Sequence, residues 1–262
     1  MLSKNPSTPC NIIDHISLYH FWANTLQPLL PIVADESQLS ICDLKKVMPE
    51  LLKVGLYQLS AKIQQNPSLT HQTLSQVTDK NSFTPEFFTA LVTKNLTENG
   101  INFVTLKQLS KSSPSIFDQW FDDETQKTMI AGVLLEKTHL PLDNLLTIWQ
   151  TITALAVINL ADMIRSLQNT IDSAQITEWL AMQPVFFMSP EDTGLVNAVD
   201  FRRAVSFQAI HQQQLKWSKI QNIADLPIYQ QHIVQQMTIY KASNFFNIAP
   251  IAIPHADFNR QV

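Results

Sequence analysis

Glycine is scarce in this chain, with only four among 262 residues, and the scarcity limits both its fold and its chemistry. Glycine adopts the positive φ angles of tight hairpins and lets the backbone approach a ligand closely. Phosphate-cradling loops and the strained elbows that hold a catalytic serine depend on that freedom. We therefore expect none of these glycine-dependent sites.

The turn and capping signals in the sequence are those of helices. Residues 84–86 (Thr-Pro-Glu) combine an N-cap residue, a first-turn proline and an acid that complements the helix dipole. Residues 99–100 (Asn-Gly) are typical of a helix end, and residues 189–192 (Ser-Pro-Glu-Asp) repeat the start signal. Ser40 and Ser173 offer two more starts. Since no stretch alternates apolar and polar residues between hairpin turns, an all-α fold is predicted.

We predict a single domain over residues 1–262, a multi-helix orthogonal bundle of about ten helices. Residues 247–262 contain two prolines that bias the preceding backbone toward extended conformations, which predicts an extended C-terminal strap. The predicted helices are 11–26, 40–48 running into 49–65, 68–78, 85–98, 102–110, 115–120, 123–137, 141–168, 174–182, 190–222 and 227–246.

Two segments of the chain match when the sequence is shifted by 101 residues, so that residues 39–64 fall on residues 140–165. Their apolar positions coincide, and Gly55 falls on Ala156. Two interpretations stay open, because any two amphipathic helices can be aligned in part. One is an internal duplication of a helical hairpin, and the other is chance agreement.

A family resemblance lies in the same region. The residues that carry it are 39–60 and 131–146, followed by the apolar helix. Their texture, over residues 40–165, resembles the YidB-like bacterial proteins, in which a short helix after a leucine-x-leucine turn leads into a proline-marked helix with a small residue where two helices cross. The resemblance implies a helical, non-enzymatic bacterial protein and supplies no catalytic residue. The residue usage, rich in Gln, Asn, Ile and His, is also similar to that of accessory proteins of bacterial secretion machines, type VI systems among them.

Charge gives no reason to expect a nucleic-acid partner. The chain has 18 basic and 22 acidic residues, a net charge of −4, and a pI near 5.9. A local basic group, made of residues 202–203 with Lys216 and Lys219, is read as solvated helix faces.

The sequence predicts a cytoplasmic protein without membrane insertion. The first residues hold one lysine followed by polar residues, which is not the pattern of a signal peptide. The apolar run from residue 145 to residue 164 has the length of a membrane span but contains several polar residues, which favours a buried helix. Cys10 and Cys42 fit a reducing compartment. The pattern leaves export to the periplasm and the oligomeric state open.

No combination of residues has the spacing of a metal or catalytic site. His15 and His20 lie about 140° apart on a helix, too far to share one ion. The acidic residues at 122–124 and 191–192 precede helices and are read as caps. Asp162, three residues before Arg165, is read as half of a local ion pair. We therefore predict no metal, no cofactor, no catalytic residue and no enzyme.

Three apolar segments raise the choice between burial and partner binding. The segment 185–188 lies between two prolines, and the others are residues 116–121 and the strap. Burial in the core is favoured, but exposure of any of them would indicate an interface. The candidate partner-binding residues are Val185, Phe186, Phe187, Met188, Trp120, Phe121, Ile251 and Ile253.

The functional prediction is a non-catalytic protein that binds another protein, as an accessory or scaffold component of a type VI-like secretion apparatus. One alternative is an immunity-type inhibitor whose acidic excess covers a basic toxin. Another is an enzyme or ligand carrier with a pocket inside the bundle.

Overall fold

The computed structural model describes residues 12–27, 30–65, 113–168, 170–199 and 207–242, and this part of the chain consists of helices and their connections without strands. The predicted all-α, multi-helix fold is confirmed there. The α-helices are α1 Ile13–Ile16, α2 Leu18–Leu26, α3 Leu30–Ser37, α4 Ile41–Gln65, α5 113–120, α6 Glu124–Thr138, α7 Leu142–Leu167, α8 Ser173–Ala181, α9 Thr193–Ala198, α10 Phe207–Trp217 and α11 Ile228–Ala242. Short 3₁₀ turns cover Gln183–Phe186, Pro190–Asp192 and Ile223–Asp225. The predicted helices 68–78, 85–98 and 102–110 and the strap lie outside the described residues.

Helix starts follow the local signals closely. Ser40 accepts a hydrogen bond from the backbone of Asp43 at 3.1 Å and donates to its carboxylate at 2.7 Å. The carboxylate of Asp123 accepts from two backbone N–H groups at the start of α6. The start predicted at Ser173 is capped one residue earlier, because Asp172 accepts from the backbone of Ala174 at 2.9 Å. These side chains satisfy N–H groups that a helix start leaves without partners.

Two predicted helices are wrong in their extent. The helix over 11–26 is broken at Ser17, whose backbone is extended (ψ 121°) and whose side chain caps α2. The helix over 190–222 is interrupted, since α9 ends at Ala198 and α10 ends at Trp217. The first residues of this predicted helix, Pro190–Asp192, form a 3₁₀ turn, and the Asp192 carboxylate accepts a hydrogen bond from the backbone of Ser189.

The core forms around α4 and α7, which pack against each other. Helices α2, α3, α6 and α11 also contact α7. By length and composition, residues Leu142–Ala161 of α7 would pass for a membrane span, but 71% of that segment is buried inside the protein. Its neighbours therefore cover most of the apolar surface, as the buried-helix prediction expects.

The hairpins α3–α4 and α6–α7 have matching geometry at positions 101 residues apart. Their first helices end at Ser37 and Thr138, and their second helices begin at Ile41 and Leu142. Each link opens with a left-handed residue, Gln38 (φ 54°) and His139 (φ 57°). Equivalent hydroxyls close the first helices, from Ser37 to the Val33 carbonyl at 2.6 Å and from Thr138 to the Leu134 carbonyl at 2.7 Å. This agreement supports the duplication interpretation, which stays a prediction.

Each hairpin also holds the helix that precedes the other hairpin. In the second, Asn159 accepts a hydrogen bond from the indole N–H of Trp22 on α2 at 3.1 Å. In the first, the equivalent Gln58 donates to the carbonyl of Trp120 on α5 at 3.0 Å. Both amides are buried, so these crossed amide–tryptophan bonds are placed where leaving them unmade is costly.

Replacing either left-handed residue by glycine tests the geometry of the links. Gln38→Gly and His139→Gly should each raise the free energy of unfolding by about 0.5–1 kcal/mol, because glycine has no Cβ to strain at positive φ. Lys45→Gly, in the exposed face of α4, is the control and should lower it by about 1 kcal/mol. Urea unfolding measures all three. A destabilised glycine variant at either link would contradict the assignment of the left-handed conformation.

Removing one of the crossed bonds should be costly. Asn159→Ala should lower the free energy of unfolding by about 1–3 kcal/mol, since the buried indole N–H of Trp22 loses its acceptor. Gln64→Ala, at an exposed position near the end of α4, should change it by less than about 0.5 kcal/mol. Chemical denaturation followed by circular dichroism compares the two. Equal effects would show that the Asn159 bond contributes nothing.

Candidate functional site

Among the described residues, a group of polar and charged side chains surrounds one buried carboxylate, and we call it the Asp192 cluster: Asp192, Lys53, Tyr57, Lys137 and Glu50. Three of its members lie on α4 at positions 50, 53 and 57, which share one helix face. The last turn of α6 supplies Lys137, and the 3₁₀ turn at 190–192 supplies Asp192. The cluster thus joins three elements that are distant in sequence.

Asp192 lies at the centre, with its side chain 0% exposed. Its Oδ1 accepts a hydrogen bond from Lys53 Nζ at 2.9 Å and lies 3.7 Å from Lys137 Nζ. Its Oδ2 accepts from the Tyr57 hydroxyl at 3.0 Å and from the Ser189 backbone at 3.0 Å. Glu50 completes the charge balance, at 2.7 Å from Lys137 and 3.6 Å from Lys53. Two carboxylates therefore face two ammonium groups.

A local capping box places Asp192. Ser189 and Asp192 bond each other across the start of the 3₁₀ turn, as the sequence signal at 189–192 predicts. The same carboxylate then reaches α4, which the sequence does not indicate. Asp192 is therefore both the predicted cap and the anchor of a long-range ion pair.

The pKa values of Asp192, Lys53 and Tyr57 move away from neutrality. Burial would raise the pKa of Asp192, but hydrogen bonds from Lys53, Ser189 and Tyr57 outweigh it and lower that pKa. For Lys53 burial acts downward, and the bond to Asp192 and the nearby carboxylates outweigh it, so its pKa is raised. The pKa of Tyr57 is raised by burial and by the charge of Asp192.

These directions do not suit acid–base chemistry. A general acid at neutral pH needs a carboxyl pKa that is raised, and a lysine nucleophile needs an ammonium pKa that is lowered. In the Asp192 cluster both shifts run the other way. The arrangement is suited to holding α4, α6 and the 189–192 turn together.

The candidate residues between 183 and 188 lie mostly in the core. Val185, Phe186 and Met188 are buried, and the half-buried Phe187 ring stacks on Tyr19 at 5.5 Å between ring centroids. The Phe186 ring packs edge-on against Trp217 of α10 at 4.9 Å. The segment therefore packs against α10, and its role in partner binding stays a prediction.

The candidates near α5 are also core residues. Trp120 and Phe121 are buried, and the Phe121 ring lies 4.9 Å from that of Trp149 on α7. The favoured burial interpretation therefore describes both segments that the structure shows. Ile251 and Ile253 lie outside the described residues.

An apolar surface that the sequence analysis missed follows α10. We define the 215–228 surface by Leu215, Lys216, Lys219, Ile223 and Ile228, all exposed. The side chain with the greatest exposure among its apolar members is Ile228, at 73%. Reading residues 190–222 as one helix concealed this surface. The turn-forming residues Asn222, Asp225 and Pro227 were the signal that could have revealed it.

Other candidates are weaker. The described part holds no group of three or more His, Cys, Asp or Glu arranged to hold a metal ion. His20 lies 3.5 Å from Asp14, and the side chains of Asp162 and Arg165 lie outside the described set. A polar cleft of about 430 Å³ lies beside Gln58 and the Lys62–Asp122 ion pair. Its lining includes Gln65, the last described residue of α4, and we assign the cleft no ligand.

Comparisons with known proteins add no relative. No protein-family model, curated protein or solved structure matches the chain significantly.

Neutralising the central carboxylate should destabilise the protein. Asp192→Asn should lower the free energy of unfolding by about 3 kcal/mol at pH 7, because removing one partner of a buried ion pair leaves uncompensated charge. Glu191→Gln, at the exposed neighbouring position, should change it by less than about 0.5 kcal/mol. Thermal and urea unfolding at pH 7 compare these variants.

The difference in stability between wild type and Asp192→Asn should depend on pH. Since the folded-state pKa of Asp192 is lowered, its contribution is complete above the unfolded pKa and is lost as pH falls through the folded value. The stability difference between wild type and Asp192→Asn should therefore be constant near neutrality and shrink below pH about 4. A difference that grows in acid would contradict the buried-carboxylate assignment.

Proposed function

We propose that this protein acts by binding another protein through the 215–228 surface, without catalysing a reaction. The observation that carries the proposal is the exposure of Leu215, Ile223 and Ile228 close together in sequence, beside two exposed lysines. Exposed large apolar side chains favour an interaction site, because covering them with a partner is favourable.

Contacts with buried residues hold the 215–228 surface in place. The Trp217 ring is held edge-on against Phe186, and Gln214 donates to the carbonyl of Met188 at 3.0 Å. Leu226 is buried between the exposed positions and ties the connection to the core. A surface held in one conformation binds at a lower entropic cost than a loop that must become ordered.

The non-catalytic part of the proposal is supported by the Asp192 cluster. Its groups are paired within the described residues, and the pKa shifts of Asp192 and Lys53 favour the charged forms. Groups held in their charged forms in this way stabilise structure and are poorly suited to proton transfer near neutrality.

A narrower proposal is that the partner belongs to a type VI-like secretion apparatus. It rests on the residue usage of the sequence alone. The identity of the partner therefore tests it separately.

Photocrosslinking tests the proposed surface. A benzoylphenylalanine at Ile223 or Ile228, in the full chain and in cells that naturally produce it, should give one dominant protein adduct. The same probe at Met129 and Leu142, which are exposed apolar positions on α6 and α7, is the matched control and should not give it. Identical adducts at all four positions, or none at any, would contradict the proposal.

A substitution separates binding from folding. Ile228→Asp should abolish the adduct at Ile223 while changing the free energy of unfolding by less than about 0.5 kcal/mol, because the side chain is exposed. Leu142→Asp is its control and should leave the adduct intact. A secretion component identified by mass spectrometry supports the narrower proposal, and a toxin would support the immunity alternative instead.

A further inference from the structure

We infer that the segment which docks on the 215–228 surface is an acidic, apolar stretch of polypeptide, and this inference rests on the function proposed above. The first observation is local charge. Residues 215–228 contain two lysines, Lys216 and Lys219, and one acid, Asp225, in a chain whose net charge is −4. The surface therefore carries a small positive charge, opposite in sign to that of the chain as a whole.

The second observation concerns ion pairs. Of the six lysines of α4 and α6, all but Lys45 lie within 4.0 Å of a carboxylate: Lys46, Lys53, Lys62, Lys127 and Lys137. By contrast, Lys216 and Lys219 form no ion pair with any residue in the described ranges. They are cations available to a partner.

The third observation is that the surface combines apolar side chains with lysines. The lysines lie between Leu215 and Ile223 in the chain, so a partner that covers the apolar side chains also removes water from the ammonium groups. Removing water from a charge is costly unless an opposite charge replaces it. Carboxylates beside an apolar anchor satisfy both requirements, and they also speed the encounter.

Other occupants fit less well. An anionic membrane would gain only about 1 kcal/mol per lysine, and the exposed face of α10 carries glutamines rather than further lysines. Among the described residues of a second copy, Asp143 is the only acid next in the chain to an exposed large apolar side chain, that of Leu142. A segment of another protein with several acids around its apolar anchor is the better complement to two lysines.

Peptide binding to the full-length protein tests the inference. The probe is a labelled synthetic helix with leucines on one face and glutamates on the other, and fluorescence anisotropy measures its affinity. We expect saturable binding that weakens with added salt. Two matched peptides, with lysine replacing glutamate or serine replacing leucine, should bind at least about tenfold more weakly.

Protein variants locate the site. Lys216→Glu combined with Lys219→Glu should weaken binding of the leucine–glutamate peptide about tenfold or more. Lys45→Glu with Lys46→Glu, an equal charge change on the exposed face of α4, should leave the affinity within about twofold. Equal loss in both double variants would overturn the inference, since the effect would then reflect net charge alone.

The remaining outcomes are also decisive. Sedimentation with phosphatidylserine vesicles in the absence of peptide binding would assign the surface to a membrane, and self-association that masks it would assign it to a second copy. Either result overturns the inference. A protein adduct at Ile228 together with equal binding of all three peptides overturns it as well, but leaves the proposed function standing. The absence of any adduct overturns the proposed function.

Discussion

The packing of α7 against α4 is the constraint on which the rest of the structure depends. A helix as apolar as α7 is stable in water only if most of its circumference is covered, and α2, α3, α4, α6 and α11 all contact it. The two long helices also carry buried amides at equivalent positions, Gln58 and Asn159, which bind the helices on either side. The exchange of partners between the two hairpins therefore combines apolar burial with one buried hydrogen bond from each amide.

Charge is confined to the edge of that core. The Asp192 cluster lies where α4 meets the end of α6 and the turn after the 183–188 segment, and two carboxylates balance two ammonium groups there. A balanced, hydrogen-bonded cluster fixes the relative position of three elements, and the same bonds shift the pKa values of Asp192 and Lys53 away from neutrality. The stability of this edge and its lack of acid–base character have the same physical origin.

Most of the large aromatic side chains near α5 and in the 185–188 segment are buried, whereas the connection between α10 and α11 exposes apolar side chains. The core contains the side chains of Phe186, Trp120 and Phe121. The side chains exposed along the α10–α11 connection include those of aliphatic residues and lysine. Phe186 still contributes indirectly, because its ring supports Trp217 beneath the 215–228 surface. Sequence reasoning thus identified an apolar segment next to the proposed interface, while its exposed neighbour needed the structure.

By itself the sequence determined the all-α class, the long helices near 41–65 and 142–167, and the caps at Ser40, Asp123 and Ser189. Those features depend on hydrogen bonds and side-chain periodicity within a few residues, so local composition specifies them. Only the tertiary structure decided that Asp192 pairs with Lys53, 139 residues away in the chain, and that segment 183–188 is covered by α10. Burial and ion pairing depend on which distant elements meet in space, and periodicity within a helix carries no record of those neighbours.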